Sequence, residues 1–176
     1  VSIADYGANI GANVVIDDFV QIGPNVTIGD GVIIQAGAKI GVQAFNIYEY
    51  AGNRVQLFHN GKVIIGNNVL IGPNTIVQQA LYRYGETKIG SNTKIDGNVL
   101  IGHNSDIGQQ CIITAGCCIA GFVTIGQGAI LRVNAIVRNG ISIGENAHIG
   151  MGSVIVRRVR KGSRMFGNPA KDLERI

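Results

Sequence analysis

The chain has 176 residues, of which 26 are glycine and 3 proline; 15% are charged and the net charge is +4. That length suits one domain, and glycine without proline excludes a proline-rich disordered chain. A charged fraction below the roughly 25% of an average soluble domain implies apolar surface that self-association would cover. No run of 18 apolar residues reads as a membrane span, and no secretory signal opens the chain. The first residue is Val1, so an upstream portion removed or left out is the expectation.

Chain order reveals a period of six. Isoleucine recurs at Ile10, Ile16, Ile22, Ile28, Ile34 and Ile40. The register restarts at Ile65 and runs in steps of six to Ile155, and of its 22 positions only Arg83 is not apolar. Four residues after each register residue comes a second small or apolar one, such as Val99, Ser105, Cys111, Cys117 and Val123. This period is too short for helical hairpins and does not match a heptad. It fits short strands joined by sharp turns, with glycines such as Gly90, Gly102, Gly108 and Gly126 expected to supply the left-handed turn conformation. Three six-residue sides close an 18-residue triangular coil, and stacked coils form three parallel sheets with strands about 4.8 Å apart.

Two stretches break the register. Residues 42–62 carry Phe45, Tyr48, Tyr50, Phe58 and His59 and read as a protruding loop, walling a substrate pocket or packing on another subunit. Residues 81–86, with Tyr82, Arg83 and Tyr84, read as a second bulge beside it. The expected division is a β-helix domain over 1–156 and a basic tail over 157–176 ending in a short helix. Seven of the 15 basic residues lie in that tail: Arg157, Arg158, Arg160, Lys161, Arg164, Lys171 and Arg175. The tail reads as a solvated end or as a phosphate-binding surface.

The chemistry is expected at His103. Eighteen-residue stacking puts Gly85 below it and Gly121, Asn139 and Arg157 above it in one column. Glycines on both sides clear space around an imidazole that titrates near neutral pH and can take a proton from an attacking amine or hydroxyl. The Gly121 N–H, with no side chain to block it, is the expected oxyanion donor. Asp106 and Asp96 are candidates to orient the ring, with ordinary turn aspartates as the alternative for each. His59 and Tyr84 are expected to contact the acceptor, and His148 to be a surface histidine. Cys111, Cys117 and Cys118 have no metal-ligand spacing and read as reduced thiols of a cytoplasmic protein. A cysteine nucleophile is disfavoured because no base is placed beside one.

The pattern resembles the hexapeptide-repeat acyltransferases, which implies an all-β fold, the left-handed parallel β-helix. The handedness comes from that resemblance, since ordinary crossovers are right-handed. Ile95, Asp96, Gly97 and Asn98, followed by Ile101, Gly102, His103, Asn104, Ile107 and Gly108, resemble the active-site run of the UDP-3-O-acylglucosamine N-acyltransferases of lipid A synthesis. His103, Asn104 and Ser105 also resemble the site of acetyl-CoA-dependent sugar acetyltransferases of the sialic acid and bacillosamine type. Their coenzyme A-contacting end is matched by Gly167, Asn168, Pro169, Ala170 and Lys171.

The resemblance implies a homotrimer with His103 as base and Asn104 at the substrate. It implies coenzyme A contacts from Gly167, Asn168 and Lys171; Asn139 and Arg157, on the His103 column, are expected to join them, and no metal is expected. The partners it implies are a sugar and a thioester, not nucleic acid. The lipid A enzyme's later histidine has no match in Arg138–Ile141, and the chain stops five residues after Lys171. Both departures favour acetyl-CoA, with acyl carrier protein thioesters as the alternative. A non-catalytic scaffold and a zinc enzyme with three converging histidines are the more distant alternatives.

Overall fold

The structure, a computed structural model, describes residues 3–4 and 7–172. Among these residues the strands form three sheets of eight, seven and nine strands, parallel throughout except for one terminal antiparallel strand. The chain visits the sheets in rotation and closes the triangular parallel β-helix that the period of six implies, with the left hand that the resemblance implies. From Ile89 to Ile155 each strand pairs with the one 18 residues later, as in Leu100↔Cys118 and Ile101↔Ile119, and the last coil is two residues shorter, pairing His148 with Arg164. The register isoleucines stack in the interior: Ile95, Ile101, Ile113 and Ile119 have no exposed surface. Burying such a side chain is worth about 1.5–3 kcal/mol, so the stacked column carries the fold.

The second inward position is polar in places, and each hydroxyl there closes a bond to the next coil. Ser105 Oγ donates to the Ala120 carbonyl at 3.0 Å and accepts from the Val123 N–H at 3.3 Å. Thr93 does the same between the Gly108 carbonyl and the Cys111 N–H. A buried hydroxyl is tolerated because it is satisfied on both sides.

The glycines directly after the register residue have another role than the one expected. The left-handed position is the third residue after the register residue, where glycine supplies it at Gly116 (φ 69°) and Gly128 (φ 70°) and asparagine at Asn98 (φ 56°), Asn104 (φ 57°) and Asn134 (φ 58°). Asparagine tolerates this conformation through local hydrogen bonding. The glycine directly after the register residue answers a different need, the close approach of the next coil. A Cβ at Gly102 would stand 2.5 Å from both the Ala120 carbonyl carbon and the Gly121 nitrogen.

Both irregular stretches leave the prism at one edge, between the first and second sheets. Residues 43–61 leave after the first-sheet strand Lys39–Val42 and return into the second-sheet strand Lys62–Ile65; within them Ile47–Tyr50 and Asn53–Gln56 pair as an antiparallel hairpin. The second insertion separates Ile76–Gln78 from Glu86–Ile89, and it lengthens that coil so that Ile65 pairs with Ile89, 24 residues on.

The expected boundary at Val156 and the helical tail are corrected. Arg164–Gly167 pairs in parallel with His148–Ile149, so the coil continues, and Ala170–Asp172 folds back antiparallel after a cis Asn168–Pro169 bond. Register and buried residues, Val159, Ser163 and Met165 among them, persist because the last coil still has an inside to fill. The end of the expected helix lies outside the described residues.

Gly126→Ala tests the close-approach reading far from His103. Its Cβ would meet the Glu145 backbone nitrogen at 2.5 Å, so the coils must separate. A loss of about 1–3 kcal/mol is expected, read as a lowered Tm; an unchanged Tm contradicts the reading.

Candidate active site

His103 stands on the edge from which both insertions leave, between the strands Leu100–Ile101 and Asp106–Ile107. The backbone fixes its start: the His103 N–H donates to Gln78 Oε1 at 3.3 Å, and the Phe122 N–H donates to the His103 carbonyl at 2.8 Å. The imidazole lies over Gly121, where a Cβ would stand 2.6 Å from His103 Nε2. Glycine at 121 is therefore the condition for the ring to occupy this place. Gly85, expected to clear space for His103, instead clears it for Asn104, whose Nδ2 would meet a Cβ there at 2.7 Å. The extra residues in the coil below shift that stacking by a position.

The tautomer follows from the hydrogen bonds. Asn104 Oδ1 accepts from the Leu81 N–H at 2.8 Å, which fixes the amide's orientation. The same oxygen lies 3.2 Å from His103 Nδ1. An oxygen that only accepts requires the proton on Nδ1, which leaves the lone pair on Nε2. Asn104, expected at the substrate, thus orients the base. Asp106, expected in that role, lies beyond the corner on an outward position next to Lys88. Asp96 sits at a different edge and accepts from the Gly97 and Ala115 N–H groups as a turn aspartate.

Two aromatic rings stand perpendicular to His103, each with its centroid at 5.0 Å: His59 at 83° and Phe122 at 89°. Phe122 holds φ 58°, an uncommon conformation for a bulky residue. His59 is only 3% exposed, so it supports His103 from within rather than presenting itself in the loop. Nothing in the sequence pointed to this pair, because His59 lies within one insertion and the 43 residues between them cross the second, whose path follows no period. Burial pushes the His103 pKa below the ordinary histidine value, and the Asn104 bond partly opposes this.

Beside this corner opens a groove of about 610 Å³ lined by Asn25, Asn60, Lys62, Arg83 and Tyr84. Arg83, the register exception, sits with its guanidinium 6.0 Å from the Tyr84 ring centroid. Above His103, Leu100, Cys118, Ile136 and Val154 pair in succession, so Gly121 and Asn139 stack over it. The corner after Ile155 is two residues shorter, with Val159 pairing with Ile143, so Arg157 lies on this edge but off the 18-residue count; it and Asn139 are exposed. Gly167 and Asn168 form the turn of the terminal hairpin; the side chain of Lys171 lies outside the described residues. His148 faces outward on the third sheet, away from this edge.

The cysteines are poor nucleophiles. Cys117 is buried and its pKa is pushed up to about 11, chiefly by desolvation. Cys111 and Cys118 are raised for the same reason. Among the described residues no group of three metal-ligating side chains converges.

The hexapeptide profile described as "Bacterial transferase hexapeptide (six repeats)" matches residues 7–41 and 86–121, and the "Hexapeptide repeat of succinyl-transferase" profile matches 62–103 and 122–157. The chain belongs to the hexapeptide-repeat transferase family. It is 36% identical over 144 residues to a UDP-3-O-acylglucosamine N-acyltransferase of Methylorubrum populi, covering 82% of this chain and 40% of that protein. It is also 36% identical over 108 residues to the protein of that name from Caulobacter vibrioides, covering 58% and 31%. The chain thus spans well under half the length of these curated relatives. Among solved structures it is similar to LpxA of Acinetobacter baumannii, with a TM-score of 0.82, 27% identity and coverage of 98% of this chain and 71% of that one. The UDP-N-acetylglucosamine O-acyltransferase of Moraxella catarrhalis gives 0.79, 26%, 97% and 71%.

The lowered proton affinity has a sign. His103 is neutral at pH 7, and its contribution to stability is full above the ordinary value of about 6.5 and lost as pH falls through the lower folded value. Titration of its ring protons by NMR should give a midpoint below that ordinary value; a midpoint above it contradicts the buried, neutral base.

Proposed function

We propose that this protein is an acyltransferase that moves an acyl group from a thioester to an amine or hydroxyl of a nucleotide-linked sugar, with His103 as general base. The observation that carries the reading is the lone pair at His103 Nε2, held by Asn104 over the bare backbone of Gly121. In the reaction Nε2 takes the proton of the attacking group as its nitrogen or oxygen bonds to the thioester carbonyl carbon. The resulting oxyanion accepts from the Gly121 N–H, which donates to no carbonyl among the described residues. The carbon–sulfur bond then breaks and the thiolate receives the proton from His103. No covalent enzyme intermediate is needed, in keeping with protonated cysteines.

The groove beside the corner suits the nucleotide sugar. Lys62 and Arg83 bring two cations for a diphosphate, and Tyr84, 89% exposed, offers a ring face for a base or sugar. The names of the relatives, which act on UDP-linked glucosamine derivatives, support that acceptor class. For the donor, acetyl-CoA is the first reading: a thioester arm laid along the edge from His103 would bring its phosphates toward Arg157 and the basic last coil. The second reading is an acyl carrier protein thioester, favoured by the run that resembles the lipid A enzymes.

The protein acts, in this reading, as a homotrimer of the cytoplasm. Above Lys39 the outward column of the first sheet is Ile76, Leu100, Cys118, Ile136 and Val154, and the third sheet offers Leu70, Ile112 and Ile130, with Lys94 between the first two and His148 above the last. The second sheet offers Lys88, Asp106, Thr124 and Ser142 instead. The edge between the two apolar faces carries Ala115, Val133 and Met151, the last 66% exposed. Three prisms packed around that edge bury both apolar faces and put His103 at the rim of a cleft between subunits.

Two measurements test this. A screen of UDP-linked amino sugars with acetyl-CoA and with acyl carrier protein thioesters, read as free thiol, should give turnover that His103→Ala reduces at least about 100-fold; a folded His103→Ala enzyme that retains turnover removes the assignment. Light scattering during gel filtration should give three times the chain mass; a monomer would contradict the site between subunits.

A further inference from the structure

The reaction above leaves His148 and His59 unused; His148 faces outward, whereas the structure treats His59 unlike any surface residue. It is 97% buried, and its backbone is clasped by two glutamines. The His59 N–H donates to Gln43 Oε1 at 2.7 Å, and the His59 carbonyl accepts from Gln43 Nε2 at 2.9 Å and from Gln79 Nε2. Its ring Nδ1 lies 3.1 Å from the Gln79 carbonyl, which requires the proton on Nδ1. Its Nε2 is buried with no hydrogen-bond partner. An apolar side chain would fill the same space without that unpaired nitrogen, so packing alone gives no reason for an imidazole here.

What the clasp achieves is placement. Gln43 belongs to the first insertion's departure and Gln79 to the second's, so both insertions are tied to one ring, and that ring stands perpendicular against His103. Gln78, next in the chain, holds the His103 N–H. We infer that His59 is a positioning residue for His103: tethered to the Gln79 carbonyl, its buried ring fixes the plane of the base and closes the inner side of the corner to water. The inference rests on the reading of His103 as the base. The side chains around the two rings are Gln43, Gln78, Gln79, Asn104 and Phe122, none of which titrates, so each histidine is the other's only titratable neighbour among these contacts.

Two variants separate the tether from the filling of space. His59→Phe keeps a ring and loses the Nδ1–H; kcat should fall roughly 10- to 100-fold with KM nearly unchanged, the usual scale for a residue that orients a reacting group. His59→Asn keeps a donor for the Gln79 carbonyl and opens space; it should recover part of kcat, while water at the corner moves the acid limb of kcat/KM up toward the ordinary histidine value. Both variants must first elute and melt as the parent does. Nitrogen-15 NMR of His103 gives a readout independent of turnover. In the parent the ring should show the Nδ1–H tautomer, and in His59→Phe a mixture. If the parent transfers no acyl group but the variants change the tautomer or the titration midpoint, the proposed function fails and the positioning role stands. If folded variants leave the tautomer, midpoint and kcat as in the parent, His59 only fills the core and the inference is overturned. Should either variant misfold, the tautomer and titration of His103 in Gln43→Ala, which loosens the clasp from the exposed side, decide by the same criteria.

Discussion

Everything in this molecule follows from the distance between successive coils. Strands about 4.8 Å apart bring residue i and residue i+18 into contact on every side of the prism. On the inside this stacks isoleucine on isoleucine, and a buried ladder of that kind permits polar residues only where hydroxyls close bonds between coils. At the edges it presses backbone against backbone, so Gly102 has room for no Cβ. Side chains can project only where the coil above yields space.

His103 is placed by that rule. Its imidazole occupies what would be the Cβ position of the residue one coil up, and Gly121 is what makes the position vacant. The orientation of the ring comes from neighbours that the stacking alone does not supply: Asn104, whose amide is fixed by the Leu81 N–H, and the perpendicular rings of His59 and Phe122. Leu81 and His59 both belong to insertions. The regular solenoid thus provides a rigid edge, and the irregular segments provide the chemistry of the corner. Phe122 in a left-handed conformation fits this picture, since unusual backbone geometry is held where surrounding structure fixes it.

The outward faces extend the same logic to assembly. From Ile76 to Val154 the outward column of the first sheet is apolar, the third sheet mixes Leu70, Ile112 and Ile130 with Lys94 and His148, and the second carries Lys88, Asp106, Thr124 and Ser142, although all three have the same inward pattern. The inward residues specify the prism, while the outward ones are free to differ from side to side.

The period of six determined the architecture because each inward position recurs in sequence at the spacing of the sides, so sequence distance translates directly into height along the prism. For the same reason the column His103, Gly121, Asn139 was readable from numbers alone, and the register of the strands reproduces it, whereas the shortened corner after Ile155 takes Arg157 off the count. The continuation of the coil through Arg164–Gly167 was hidden because the basic residues there face outward and mask the inward Val159 and Met165. The tertiary structure alone decided that Asn104 and not Asp106 meets His103 Nδ1, and that His59 turns inward against that ring. Those contacts run through insertions whose paths follow no period, and a side chain carried on such a segment is located only by what it packs against.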